Sequence, residues 1–260
     1  MRRILLPLSA ALVLALGACK GGVTEDPILR LSAEESLAQG KEWMAKEKHG
    51  RARPYFTHAF EVEPNSAIGR EGLLLAADTY YLEGGSANFV QAEAKYRDFL
   101  NRFPTSEQAP YVQFQIANSL AKRMEKPDRD QAVTRKALEA YQELIRLYPT
   151  SEYAGQAREQ LKAVLHNLAE HEFVIGRFYQ RYGTPGSAAL RFEFLVNNYP
   201  EYPEMDKVLY HLGLAYEASQ RPEEAAKTFD RLRTQFPQSP FIPEIPAATT
   251  QSTAKMEAKG

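Results

Sequence analysis

The fold is decided by residues 205–237, which read MDKVLYHLGLAYEASQRPEEAAKTFDRLRTQFP. Small, aromatic and proline residues stand in this stretch at fixed positions of a two-helix unit. They are Gly213 at position 8, Tyr216 at 11, Ala225 at 20, Phe229 at 24 and Pro237 at 32. Glycine and alanine let two antiparallel helices approach to the short end of the usual separation of roughly 8–10 Å. Proline lacks an amide hydrogen and ends the second helix. The stretch therefore predicts a helix–turn–helix unit.

The same register can be followed back along the chain, which gives five units ending in proline. The matching residues are Gly176, Tyr179, Ala188, Phe192 and Pro200, then Ala137, Tyr141 and Pro149, then Ala92, Tyr96 and Pro104, and finally Gly40, Trp43, Ala52, Phe56 and Pro64. One match alone would be weak, because alanine and aromatic residues at helical spacing occur in any helical core. Five matches with a period near 34 residues are typical of tetratricopeptide repeats. We therefore predict an all-α fold, a tetratricopeptide-repeat solenoid of five helix–turn–helix units over residues 33–237.

Departures from the ideal period predict where the units differ. Pro54 falls inside the second helix of unit one, which we expect to be short or kinked. About three additional residues in unit two, around Gly84-Gly85-Ser86, predict a flexible turn, and about eight within Met124 to Lys136 predict a longer turn in unit three. Apolar residues at three- and four-residue steps predict that the first helix of unit four extends over Glu152 to Tyr182, about 30 residues.

The N-terminal residues predict export and a lipid anchor. Arg2 and Arg3 precede an apolar run of about 13 residues, too short to span a bilayer, and residues 1–18 are predicted as a signal peptide. The run ends in Leu16-Gly17-Ala18-Cys19, which resembles the lipobox of bacterial lipoproteins. That resemblance implies that Cys19 becomes the N-terminus and carries acyl chains such as palmitate. The alternative is an ordinary secretory signal with an incidental cysteine. Residues 19–32 are predicted as a flexible, lipid-anchored linker, and Lys20 after the cysteine implies transfer to the outer membrane.

Charge and C-terminal composition limit the partners further. The formal net charge is -1 at pH 7. Binding to nucleic acid needs a basic face, so no nucleic-acid partner is predicted. Pro240, Pro243 and Pro246 are followed by a run of Ala, Thr, Ser and Lys, which predicts a disordered tail over residues 238–260.

Signals for catalysis are weak. His166 and His171 are five residues apart and so lie on different faces of a helix, and no second histidine follows at the spacing of a zinc protease. No nucleophile elbow, phosphate-binding glycine loop or paired cysteines occur in the sequence. The sequence therefore predicts no enzyme, no metal site and no cofactor, with both histidines packed or solvated.

A peptide-binding surface is the remaining candidate. First helices line the concave side of such solenoids, and in units two and three the positions that face it carry aromatic, apolar and polar side chains. They are Leu74, Tyr81, Tyr111, Phe114 and Asn118. We expect a trough for an extended peptide with aromatic side chains, in which Asn118 bonds to the peptide backbone and Lys41 or Lys122 to a terminal carboxylate. The alternative is that Tyr111 and Phe114 belong only to the core between repeats.

Two stretches resemble the BamD family of outer-membrane assembly lipoproteins, also called YfiO or ComL. They are Asp128-Arg129-Asp130-Gln131 leading to Tyr148-Pro149-Thr150-Ser151, and Leu168-Ala169-Glu170-His171-Glu172 leading through Tyr179 and Gly183 to Tyr199-Pro200. An enlarged third turn and a long helix in unit four are also features of that family. Glu63 is a departure, because the family usually has an aromatic residue before the proline that closes unit one.

The resemblance implies a non-enzymatic subunit of the machinery that folds β-barrel proteins into the outer membrane, anchored by lipid and facing the periplasm. In this interpretation the N-terminal units receive unfolded β-barrel substrates, and the C-terminal units dock on the POTRA repeats of a BamA-like partner. Arg191 aligns with a family arginine implicated in that docking, and other assembly lipoproteins are a further class of partner. The alternative is another outer-membrane repeat lipoprotein, such as a pilotin for secretins or an adaptor of cell-wall synthesis.

Overall fold

The computed structural model describes residues 26–247 of the 260-residue chain. This part is all-helical, with ten α-helices, two short 3-10 helices and no strand. The helices are α1 Ala33–Ala45, α2 His49–Val62, α3 Ala67–Glu83, α4 Ser86–Arg102, α5 Ala109–Ala121, α6 Ala132–Leu147, α7 Glu152–Arg181, α8 Pro185–Asn198, α9 Met205–Ala218 and α10 Pro222–Gln235. The 3-10 helices are η1 Pro27–Arg30 and η2 Ile242–Glu244. Within these residues no helix combines the length and the hydropathy that crossing a bilayer requires.

The helices stack in chain order. Each helix packs against the helix before it and the helix after it, and α1 also contacts α3, α5 contacts α7, and α7 contacts α9. Contacts that are confined to near neighbours along the chain are what a repeat solenoid requires. The predicted all-α tetratricopeptide-type fold is confirmed.

The predicted glycine positions are sites of very close helix packing. A Cβ on Gly213 would lie 2.4 Å from Cε1 of Phe229, and a Cβ on Gly176 would lie 2.5 Å from the same atom of Phe192. Both rings are completely buried. The first helix of each of these pairs therefore passes directly over a phenylalanine ring of the second, with no room for a side chain.

The long helix α7 has 30 residues, as predicted, and follows Ser151, whose side chain accepts a hydrogen bond from the amide of Tyr153. Its part up to Leu168 contributes Val164 and Leu168 to a core shared with α3 to α6. Its second half contributes Phe173 to a separate core shared with α8 to α10. One continuous helix therefore connects the two halves of the solenoid.

Two local predictions are corrected by the helix bounds. Of the two alternatives for the second helix of unit one, the short helix is wrong, because α2 keeps 14 residues with Pro54 inside it, and the kink stays a prediction. Pro54 removes only one hydrogen bond, to the carbonyl of Gly50, and Gly50 is exposed to water. In unit two the additional residues lengthen α3 and α4 to 17 residues each, and only Gly84 and Gly85 connect them, with φ of 74° and 87°.

The predicted linker and tail are ordered where the structure describes them. Residues 26–31, within the predicted flexible linker, include η1, and the carbonyl of Leu31 accepts a hydrogen bond of 3.1 Å from Nε2 of His58 on α2. Residues 238–247, within the predicted disordered tail, lie against α9, because their apolar side chains extend the C-terminal core. They include Phe241, which stacks on Tyr210 with ring centroids 5.2 Å apart. Residues 1–25, with Cys19, and residues 248–260 lie outside the described part.

Candidate functional site

The predicted trough is divided into two neighbouring cavities of about 940 and 380 Å³. Leu74 and Tyr111 line the larger cavity. The smaller cavity is lined by the other three predicted residues, Tyr81, Phe114 and Asn118. The structure therefore places all five predicted residues on cavity walls between α3, α5, α6 and α7, but not in one continuous pocket.

Tyr153 lines the larger cavity and contacts one aromatic residue of each cavity. It lies at the start of α7, and its ring centroid is 5.6 Å from those of Tyr111 and Phe114. Tyr141 from α6 completes the cluster, with its centroid 6.3 Å from that of Phe114. The sequence register did not include Tyr153, because this residue precedes the repeat positions of unit four. In the sequence, only its position as an aromatic residue just after the helix cap at Ser151 could have indicated it as a cavity residue.

The larger cavity combines cations with aromatic faces. Arg70 and Arg102 lie on its wall with Phe103, and the Arg70 guanidinium is 5.8 Å from the Phe103 ring centroid. Residues 104–108, between α4 and α5, form one side of the cavity. The same wall carries the acidic residues Glu71, Asp78 and Glu107.

Asp78 is the buried polar centre of the larger cavity. Its carboxylate accepts hydrogen bonds from the hydroxyls of Tyr96 (2.6 Å) and Tyr111 (2.8 Å). Burial raises the pKa of Asp78, and the two hydrogen bonds counteract this in part. Burial and the neighbouring Asp78 charge also raise the pKa of Tyr111, which remains a protonated donor. These bonds hold Tyr111 in place on the wall of the larger cavity.

Asn118 has internal partners for both ends of its amide. Its Oδ1 accepts a hydrogen bond of 2.6 Å from the hydroxyl of Tyr141, and its Nδ2 donates to Gln115 at 2.8 Å. Each end of an amide can make two hydrogen bonds, so one position at each end is left for the bond to a peptide backbone that we predicted for Asn118. Lys41, predicted to meet a carboxylate, is bound to Glu71 at 2.7 Å. Lys122 lies on the wall of the smaller cavity.

The trough residues also belong to the core of the N-terminal half. Leu74 and Phe114 are each 9% exposed, and Tyr111 and Tyr81 are half-buried against the same core. The same side chains therefore pack in the core and also line the walls of the two cavities. That they bind a peptide stays a prediction.

Arg191 lies on the outer part of α8, in the other half of the molecule. It donates a hydrogen bond of 3.0 Å to Oε2 of Glu172 on α7, and its side chain is 43% exposed while that of Glu172 is 9% exposed. The flanking Leu190 and Phe194 are 64% and 45% exposed. The ion pair with Glu172 thus fixes the Arg191 guanidinium, which lies beside two exposed apolar side chains.

The inner face of this half holds Phe173, Arg177 and Arg181 around one cavity. Arg177 donates to the ring of His211 on α9, at 2.7 Å from Nδ1. Burial first, and then the charges of Arg177 and Lys207, lower the pKa of His211 to about 4. The histidine is therefore a neutral acceptor at pH 7, and one of the two arginines of this cavity is bound internally.

The long loop 122–131 is attached to α7, which the sequence did not reveal. Asn167 Nδ2 donates to the carbonyl of Glu125 at 3.0 Å, and His171 Nδ1 donates to that of Pro127 at 2.6 Å. Gln131 is 1% exposed and bonds to the carbonyls of Lys126 and Arg129. The packed histidine agrees with the expectation for His171. Over residues 26–247 no three metal-ligating side chains come together.

Comparison with known proteins identifies the family. The model of the YfiO family, described as outer membrane lipoprotein, matches residues 31–232, which include both cavities and Arg191. The chain belongs to the YfiO family of outer membrane lipoproteins.

Relatives of this YfiO chain carry one name across distant bacteria. The chain is 27% identical to the outer membrane protein assembly factor BamD of Neisseria meningitidis serogroup A, over 93% of this chain and 94% of that protein. It is 26% identical to the protein of the same name from Caulobacter vibrioides, over 88% and 75%. Among solved structures it is similar to the TPR2AB domain of yeast Sti1 in complex with pHSP90, at 14% identity, 87% and 86% coverage and a TM-score of 0.44.

Proposed function

We propose that this YfiO-family chain is a non-enzymatic subunit of the machinery that assembles β-barrel proteins in the outer membrane. The observation that carries the proposal is the family match over residues 31–232. It is supported by the Neisseria relative, which is named an assembly factor and aligns over 94% of its length. A solenoid whose described residues bring together no metal-ligating cluster and offer open, aromatic cavities is suited to holding polypeptides.

The N-terminal half is the part that receives unfolded barrel substrates in this proposal. An amphipathic strand presents aromatic side chains on one face and a carboxylate at its end. The larger cavity offers the Tyr111 ring, Arg70 and Arg102, and the smaller one offers Phe114 and Lys122. Tyr153 between them is placed to separate successive side chains of one strand face.

The C-terminal half docks the BamA-like partner through its POTRA repeats. Arg191 is exposed, oriented by the buried Glu172 and flanked by exposed apolar residues. A cation that is pre-positioned beside apolar surface is typical of an interface anchor. Cys19 carries the lipid that holds the chain at the periplasmic face of the outer membrane, and accessory assembly lipoproteins are further partners.

Purification from detergent-solubilised membranes tests this function. The natural chain should recover a POTRA-containing barrel protein, and Arg191→Glu should lose most of it, because it places a carboxylate next to Glu172. Arg146→Glu, a matched charge reversal at an exposed site of α6, should recover as much as the natural chain. Recovery of no barrel protein by the natural chain would refute the proposal.

A further inference from the structure

The turn between α1 and α2 joins the sole tryptophan of the chain to a group of cations. Trp43 is half-buried against the core of the first helix pair. The Nζ of Lys46 and the guanidinium of Arg51 each lie 5.2 Å from its ring centroid. The amide of Lys48 donates to the carbonyl of Trp43 at 2.9 Å, and Glu47 has φ of 56°. The turn therefore has a defined shape that presents an indole edge among basic side chains.

The cations of this turn have no acidic partners in the described part of the chain. Lys46, Lys48 and Arg51 are exposed, and none forms an ion pair with a carboxylate of residues 26–247. The neighbouring cations differ, since Lys41 is bound to Glu71 and Arg53 to Glu83. Glu47 is the only acid within residues 46–51. The turn is thus a local positive surface on a chain with a net charge of -1.

The end of the chain that leads to Cys19 lies on the same helix pair. Leu31 is bound to His58 of α2, and Asp26 shares a cavity with Arg53. His58 is nine residues from the first residue of α2, which corresponds to about 14 Å along the helix. Six residues lie between Cys19 and Asp26, and the seven steps from one to the other span at most about 25 Å. A lipid on Cys19 therefore keeps this helix pair beside the bilayer.

We propose that the α1–α2 turn, residues 43–51, is a second membrane contact that binds anionic phospholipid headgroups through Lys46, Lys48 and Arg51 and inserts the Trp43 edge at the interface. Tryptophan with lysine and arginine is the combination that favours the boundary between headgroups and acyl chains. Basic residues near an anionic surface attract it within about 10 Å at moderate salt. This proposal rests on the lipid-anchored subunit proposed above, because the anchor is what brings the turn to the surface.

The fluorescence of Trp43 tests the proposal directly, because no other tryptophan contributes. The full lipid-anchored chain is reconstituted in vesicles of phosphatidylcholine, with or without phosphatidylglycerol, and with brominated acyl chains that quench an inserted indole. Quenching should be at least about twofold greater with phosphatidylglycerol and should fall at high salt. The triple variant Lys46→Gln, Lys48→Gln, Arg51→Gln should lose the difference.

A matched variant removes three exposed cations elsewhere, Arg97→Gln, Arg146→Gln and Lys162→Gln, and should keep the difference. Equal quenching in both lipids, or equal loss in the two triple variants, would overturn the proposal. Cys19→Ser separates the proposal from the anchor. If Cys19 is not acylated, this variant binds vesicles to the same extent as the natural chain. In either case the quenching of Trp43 per bound chain at low salt reports whether the turn contacts the membrane.

Discussion

At the scale of single residues, a glycine of one helix packs directly against a phenylalanine ring of the next helix. Gly213→Ala would place a Cβ 2.4 Å from the buried ring of Phe229. The ring has no free space to move into, so we expect the free energy of unfolding to fall by about 1–3 kcal/mol. Urea denaturation followed by circular dichroism measures this change.

Gly155 in α7 is the matched control, because a Cβ there meets nothing within 4 Å. Gly155→Ala should raise the free energy of unfolding by about 0.5–1 kcal/mol, since alanine loses less backbone entropy in a helix. Equal effects of the two substitutions would contradict the close approach of α9 and α10.

The buried His211 gives stability a dependence on pH. Its pKa is about 4 in the folded chain against 6.5 ordinarily. Between these pH values the unfolded chain binds a proton at this site that the folded chain does not. The contribution of His211 to the free energy of unfolding is therefore fully present above pH 6.5 and is lost as the pH falls towards 4. From pH 7.5 to pH 5, unfolding free energy should fall by about 2 kcal/mol more in the natural chain than in His211→Gln. Equal losses in urea titrations would refute this assignment.

The sequence could predict apolar contacts better than polar ones. Gly213, Phe229 and their counterparts are visible because packing geometry repeats with the period of the units. The partners of the tyrosine hydroxyls are not, because Tyr96 bonds to Asp78 and Tyr141 to Asn118 through side chains that vary between units. We predicted that Asn118 bonds to a peptide backbone, and we predicted no partner for Asp78. Burial of the two tyrosine hydroxyls requires that they have hydrogen-bond partners.

At the scale of elements, the loop 122–131 is the part whose order depends on a few contacts. Replacing Asn167 and His171 by alanine removes both bonds from α7 to its backbone carbonyls. We expect amide hydrogen exchange in the loop to become about tenfold faster or more with unchanged helix content, because each lost bond contributes about 0.5–1.5 kcal/mol. Mass spectrometry after deuterium labelling measures the rates.

Arg158→Ala with Lys162→Ala is the control for the loop, since both side chains are exposed on α7. This pair should leave exchange in the loop unchanged. Unchanged exchange in the first double variant as well would mean that the loop is held by other contacts.

The helices themselves were predictable, but their ends were less so. Pro54 does not shorten α2 because the hydrogen bond it removes belongs to the exposed first turn. Gly84 and Gly85 form a turn of two residues because both adopt positive φ, which lets α3 and α4 absorb the additional residues. Sequence periodicity gives the number of additional residues but not whether a helix or a turn takes them.

At the scale of the whole molecule, one helix joins two differently equipped halves. The N-terminal half has the aromatic cavities, and the C-terminal half has the exposed Arg191 with its apolar neighbours. The ordering of residues 238–247 could not be predicted from composition. The prolines and polar residues of this segment are typical of a disordered tail, although three apolar side chains within it extend the core. Those side chains are Phe241, Ile242 and Ile245.

The division of labour between the halves is tested most directly by site-specific photocrosslinking in membranes. A photoreactive residue at position 111 should capture unfolded barrel substrate, and one at position 191 should capture the BamA-like partner. A residue at position 162, which is exposed between them on α7, should capture neither. Substrate at position 191 and the partner at position 111 would contradict the account.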